Sequence, residues 1–283
     1  LRPFMITAFL YLHYLQSDTW LMTEIKDKEL KDFLDLKILQ YNHVDFIEED
    51  PVYVPHQFTK KEDIEIAGFL AATIAWGKRS MILKNALWLV KLMDYAPHDF
   101  IISFGKADLR RFEKYVHRTF NAIDVVYFLK ALQNIYLNKG GLEKLFFDPN
   151  AAKPTDMAYS IHNFRAEFLS MNPEKRTLKH IADPLSGSAA KRITMFLRWM
   201  VRKDETGVDF GLWTKIQPES LILPLDIHSG RVARKLGLIN RKANDWKSAC
   251  ELTERLKIFM AHDPAVYDFA LFGLGMYENF AND

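Results

Sequence analysis

An all-α fold is what this sequence predicts, on three observations. Apolar residues recur at helical spacing in segment after segment, the breaks fall at Gly, Pro and Asp/Asn turns, and no alternating series marks a set of strands. A chain of 283 residues, 49% hydrophobic and 26% charged, suits a globular protein with a sizeable core. Its length fits one large domain or two small ones sharing a cleft.

The elements follow in order. From Glu24 to Tyr41, Leu30, Phe33, Leu34 and Ile38 make one amphipathic stripe, while Leu36 and Leu39 fall off it and predict a second, partly covered side. The stretch from Val44 to Pro55 reads as an extended connector, because its prolines bias the residues before them away from helix. Thr59, with Glu62 three residues on, reads as a capping box for a helix from Ile64 to Trp76 that is apolar around most of its circumference and so buried. Gly77 closes it, with Lys78 and Arg79 at the negative helix end. Further helices are expected from Met81 to Met93, near Leu109 to Tyr115, from Asp124 to Tyr136, and from Asp156 to Phe168; Asp148 to Pro154 is the clearest loop between them. A turn then leads into a helix from Ala189 to Val201, with Ile193, Phe196, Leu197, Met200 and Val201 buried and Lys191, Arg198 and Arg202 elsewhere on its surface. After a loop-rich stretch, Asp226 begins a helix that Gly237 ends. The last two helices run from Asp245 to Met260 and from Pro264 to Phe272, the second with Asp263 as N-cap.

Composition narrows the function classes. One cysteine, Cys250, leaves no disulfide framework, thiolate zinc site or cysteine-held iron–sulfur cluster, and the nine histidines show no ligand spacing, so no metal and no cofactor are expected. No Walker A or dinucleotide fingerprint appears. The net charge of +2 does not argue for nucleic acid, but its distribution does: Lys191, Arg192, Arg198, Arg202 and Lys203 cluster, as do Arg231, Arg234, Lys235, Arg241 and Lys242. The apolar run at residues 4–12 is too short to span a bilayer, so no membrane partner is expected and the reading is of a cytoplasmic protein. Residues 1–21 read as an upstream extension, with Met22 as the natural start.

Two pieces are chemically specific. The first, Leu185-Ser186-Gly187-Ser188-Ala189-Ala190-Lys191, is a glycine turn running into a helix, an arrangement that offers unpaired N–H groups to a phosphate. The second, Pro224-Leu225-Asp226-Ile227-His228 followed by Arg231 and Val232, puts a carboxylate at a helix N-terminus, where the dipole favours its ionised form.

The first piece is similar to the hairpin pattern Leu-Pro-Gly-Val-Gly-x-Lys of the helix-hairpin-helix (HhH-GPD) DNA glycosylase superfamily. The second resembles its Val-Asp-Thr-His-x-x-Arg-Val signature, with Asp226, His228 and Arg231 in register. The chain looks like a divergent bacterial branch of that superfamily, over about Asp63 to Gly275. The resemblance implies two helical subdomains, residues 59–203 forming a helical barrel that ends in the hairpin and residues 22–58 with 204–283 forming the second. DNA would lie across the cleft between them, with a damaged or abasic nucleotide turned into it. Lys191 matches the lysine that bifunctional members use as nucleophile on the sugar C1′, and Asp226 the carboxylate of active members. The expected DNA contacts are Gly187, Ser188, Arg192, His228, Arg231, Lys78 and Arg79, with Arg231 either binding phosphate or bracing Asp226.

The chemistry stands without the family. Breaking an N-glycosidic bond builds positive charge on the sugar, which a nearby carboxylate stabilises, and attack by a neutral amine gives a Schiff base that β-elimination can resolve. Departures from the pattern are Ser186 and Ala189 in place of Pro and the second Gly, and Ala72-Thr73 where several members carry a Gln that wedges into DNA. Thr206 to Ser220 reads as an insertion lining the same cleft. The alternative reading is a non-catalytic module of the same fold that binds nucleic-acid shape. One distance separates outcomes: Lys191 and Asp226 must converge in a basic-rimmed groove.

Overall fold

The computed structural model describes residues 27–147 and 156–281. Residues 1–21 and Met22, the first residues of the expected opening helix, and the expected loop from Asp148 to Pro154 lie outside the described residues. The fold is mainly all-α. Helices α1 (Asp27–Tyr41), α2 (Asp45–Glu49), α3 (Lys61–Thr73), α4 (Arg79–Leu92) and α5 (Pro97–Ser103) make the first half. Next come β1 (Val116–His117) and β2 (Phe120–Asn121), a two-residue antiparallel hairpin, and then α6 (Ala122–Asn134), α7 (Leu142–Phe146) and α8 (Met157–Phe168). The chain closes with α9 (Lys191–Val201), α10 (Ile227–Lys235), α11 (Trp246–Lys257) and α12 (Tyr267–Met276). Among the described residues no helix is long and apolar enough to cross a membrane.

Helix α3 is buried from Ile64 to Thr73 and lies against α9. The approach does not depend on the lack of a side chain at Gly68, since a Cβ there would make only ordinary contacts, 3.4 Å from Met200 and 3.5 Å from Phe196. Phe69 sits in a ring of Phe128, Phe164, Phe168 and Phe196, each with centroids within 5.9 Å. Burying one such side chain contributes roughly 1.5–3 kcal/mol. On the other side, α12 is clasped between α1 and α10: a Cβ on Gly273 would collide with Tyr41 at 2.0 Å, and one on Gly275 would meet His228 at 3.2 Å.

Several local expectations need correction. The Val44 to Pro55 segment is not extended: it holds α2 and two 3-10 turns, Pro51–Tyr53 and Pro55–Gln57, each with proline at its first position. Proline fixes φ near the helical value and lacks the N–H that a first turn leaves unpaired, so it starts these turns. Helix α3 begins from Lys60, without the Thr59–Glu62 capping box. Leu36 and Leu39 are exposed, at 36% and 78%, so α1 has a single covered side. The stretch expected as helix near Leu109 is the 3-10 turn Asp108–Phe112, and Pro97 starts α5 where only a break was expected.

The largest correction concerns α9. Arg198 and Arg202 are 3% and 2% exposed, not on the surface. Arg198 Nε donates to Asp209 at 3.2 Å and its Nη1 to Asp268, while Arg202 pairs with Asp209 at 3.0 Å, Asp263 at 2.8 Å and Asp204 at 2.6 Å. The Thr206 to Ser220 stretch is part of the core: Trp213 is buried against Phe146 and Phe196, and its Nε1 donates to Glu65 at 2.7 Å. Its later residues, with Phe147 and Glu254, line a separate cavity of about 580 Å³ that shares no lining residue with the Lys191–Asp226 cleft.

Candidate active site

Two turns bring the chemical groups together. In the first, the 3-10 turn Pro184–Ser186 ends at Gly187, whose φ of +89° reverses the chain. Asp183 accepts from the Leu185 N–H at 3.0 Å, Ser188 Oγ from the Ala190 N–H at 3.2 Å, and Ala190 takes the left-handed conformation at φ +49°. The second left-handed residue is thus Ala190, one past the position where the superfamily pattern has its second glycine. Lys191 follows as the first residue of α9. In the second turn, Asp226 is the N-cap of α10, and its capping box with Ser229 includes Asp226 N–H donating to Ser229 Oγ at 2.9 Å.

Lys191 and Asp226 converge. Lys191 Nζ stands 3.7 Å from Asp226 Oδ2, with the side chains 27% and 29% exposed. The two carboxylate oxygens divide their work: Oδ1 accepts from the N–H groups of His228 at 2.8 Å and Ser229 at 3.0 Å, while Oδ2 faces the amine. Burial drives the Asp226 carboxyl upward, but Lys191, Ser229 and His228 outweigh it and hold it below its ordinary value. The carboxyl is therefore ionised at neutral pH.

The pair opens into a cavity of about 440 Å³, within the range of about 300–1,000 Å³ that holds small ligands. Trp76, Ile82, Met195, Phe272 and Met276 give it apolar and aromatic walls, and Asp50, Arg79, Arg192 and His228 add polar groups. Arg79 lies 4.8 Å over the Phe272 ring and donates to Tyr277 Oη at 3.0 Å; its buried Nη2 has no hydrogen-bond partner. Arg192 packs 4.8 Å over the Trp76 ring and donates to the carbonyl of Thr73. Burial lowers its pKa to about 10. Arg192 thus braces the wall, and a backbone carbonyl already holds the guanidinium expected to meet DNA.

The other expected contacts are placed differently. His228 lines the cavity from an exposed position. Gly187, Ser188, Lys78 and Arg231 are exposed and lie outside the residues lining the cavity. Ala72 and Thr73, at the wedge position, are 1% and 2% exposed and cannot enter a base stack.

Sequence reasoning missed Asp50, which it left in the connector. Asp50 is 7% exposed, lines the cavity, and caps its own turn by accepting from Val52 N–H at 3.0 Å. Burial raises its carboxyl despite the opposing pull of the Val52 N–H, Arg198, Arg79 and Lys191. The signal was an Asp before a Pro, an N-cap pattern with the proline at the first position of the turn. Asp268 was missed too. Burial pushes it up to about 6 against the pull of Arg198 and Lys191, and it shares with Asp50, Lys191 and Asp226 a second void of about 20 Å³. Among the described residues no group of three or more His, Cys, Asp or Glu side chains is arranged to hold a metal ion.

The family model described as Protein of unknown function (DUF2400) matches residues 50–277. The chain belongs to this family. Every residue lining the 440 Å³ cavity lies inside the family's matched region. No curated protein and no solved structure matches the chain significantly.

Proposed function

We propose that the chain is a DNA base-excision enzyme that cleaves the N-glycosidic bond of a damaged base, with Schiff-base lyase activity at abasic sites through Lys191. The observation that carries this reading is the meeting of Lys191 and the ionised Asp226 at 3.7 Å in a cavity with aromatic walls. Each group has a role. Asp226 Oδ2 stabilises the positive charge that builds on the sugar as the bond to the base breaks, a contribution of about 10²–10³ in rate for a comparable preorganised group. In the lyase route, which acts on an abasic site, the amine nitrogen bonds to the C1′ aldehyde carbon and Asp226 relays the amine's protons to the carbonyl oxygen so that it leaves as water. Loss of a C2′ proton from the resulting Schiff base then expels the 3′ phosphate. Trp76 and Phe272 form walls of the cavity that would receive an unstacked base, each ring already carrying a guanidinium, Arg192 over Trp76 and Arg79 over Phe272; flipping costs a few kcal/mol, least for a damaged base. Arg79 places a positive charge in the cavity lining, which favours a phosphate nearby. Such an enzyme works where the DNA is, in the cytoplasm of a bacterial cell.

The test is a panel of lesion-bearing duplexes scored for base release, together with borohydride trapping on abasic-site DNA. A covalent adduct that disappears in Lys191→Ala supports the proposal. Tight, salt-sensitive binding with neither adduct nor base release reassigns the chain as a nucleic-acid shape-binding module. No binding at low salt removes both readings.

A further inference from the structure

We infer that Asp50 is the general base of base release, taking a proton from a water held in the void that adjoins the cleft. The inference rests on the glycosylase reading and adds to it a residue from outside the two motifs.

The void has a volume of about 20 Å³, above the roughly 10–15 Å³ that one water requires. Its polar lining is Asp50, Lys191, Arg198, Asp226, Ser229 and Asp268, more than the two to four partners a buried water takes. It shares Asp50, Lys191, Met195, Asp226 and Phe272 with the main cavity, so a water there borders the space where the sugar must sit.

Three carboxylates line this void, and their commitments differ. Asp226 uses Oδ1 to cap α10 and Oδ2 to face Lys191. Asp268 is bonded through Oδ2 to the Arg198 guanidinium and does not line the main cavity where the sugar must sit. Asp50 accepts only the Val52 N–H, through Oδ1, and among the described residues its other oxygen accepts no hydrogen bond. It is also the most suitable in basicity of the two that line the cleft itself, since burial raises it while Asp226 is held down. In the hydrolytic step the water oxygen bonds to C1′ as the C1′–N electron pair departs with the base. Asp50 takes one proton from the water and returns it through solvent to the departing base, so nothing is oxidised or reduced.

Asp50→Asn tests this, because the amide oxygen can still accept the Val52 N–H and keep the turn. The two routes differ in their nucleophile, so they separate the roles. Base release from a lesion that wild-type protein processes should fall on the order of 10²–10⁴-fold, while borohydride trapping on preformed abasic DNA persists through Lys191. Adding formate to Asp50→Ala should restore part of the base release. Base release at the wild-type rate in Asp50→Asn overturns the inference alone. Loss of release and trapping together, with a lowered melting temperature, overturns it in favour of a structural role. Wild-type protein that releases no base from any lesion overturns the glycosylase reading, and the role of Asp50 with it.

Discussion

The two ends of α9 handle charge in opposite ways. At its C-terminal end Arg198 and Arg202 are buried and shared among Asp204, Asp209, Asp263 and Asp268. Their positive charge also suits the negative end of the helix. At the N-terminal end Lys191 sits where a helix favours anions, partly exposed, with one carboxylate at 3.7 Å, beyond hydrogen-bond reach. The first arrangement satisfies charge and fixes structure. The second leaves charge incompletely satisfied and open to a cavity. A charge pair carries chemistry only where its partners leave some valence unspent, and one helix displays both cases 7 residues apart, from Lys191 to Arg198.

The sharpest way to break this contrast is to remove a charge from each end. Arg198→Met strands Asp268 in the interior and leaves Asp209 with Arg202 alone, and should cost about 3–5 kcal/mol in urea unfolding. Lys191→Met should change stability by less than about 1 kcal/mol, as for a partly exposed pair, yet abolish borohydride trapping. If Lys191→Met proves as destabilising as Arg198→Met, the two ends do not differ.

Asp226 sharpens the comparison, since it both caps a helix and faces the amine. Asp226→Asn keeps a good capping residue, so melting should barely move while base release drops about 10²–10³-fold. Asp226→Ala should add a stability loss of about 1 kcal/mol from the missing cap.

The two ends should also respond to pH with opposite sign. Asp268 has an ordinary value of 3.8 and is raised to about 6, so the folded state binds its proton more tightly than the unfolded chain. Its contribution to stability is full below 3.8 and lost as pH rises through about 6. Asp226 is lowered from 3.8, so its contribution is present above 3.8 and lost as pH falls through its folded value. Unfolding measured across pH should lose its downward trend between 3.8 and about 6 in Asp268→Asn, and its acid sensitivity should weaken in Asp226→Asn.

The smallest effect concerns DNA affinity. If Lys191 neutralises one phosphate, Lys191→Ala should reduce the slope of log K against log salt by about 0.9. Removing the buried charge of Arg198 should leave that slope unchanged in protein that stays folded.

Much of the fold was legible because periodicity and caps are local. The stripe of α9 is buried as its spacing indicates, and Asp226 caps the helix it was expected to begin, whereas Asp263, expected as an N-cap, makes no side-chain cap hydrogen bond and precedes the 3-10 turn Pro264–Val266 rather than an α-helix. What failed to read was non-local. On a helical wheel Arg198 looks solvated, because the carboxylate that buries it, Asp268, lies 70 residues away. The 44–55 connector looked extended because Pro-rich 3-10 turns have no apolar period. For the same reason Asp50 gave no hint that it faces Lys191 and Asp226 across a cavity. The Lys191 and Asp226 pieces could be read because each sits in a short turn of specific composition, but their meeting depends on how α9 and α10 are placed.

The wall of the cavity carries a consequence of another kind. Among the described tryptophans only Trp76 lines it, with Arg192 on its ring and His180 stacked at 5.9 Å. The protein therefore contains its own optical reporter. A planar ligand that enters should quench the emission of Trp76, while Trp199 and Trp213, enclosed in the core, keep theirs. Occupancy of the cleft becomes observable in real time, without labelling and without waiting for turnover.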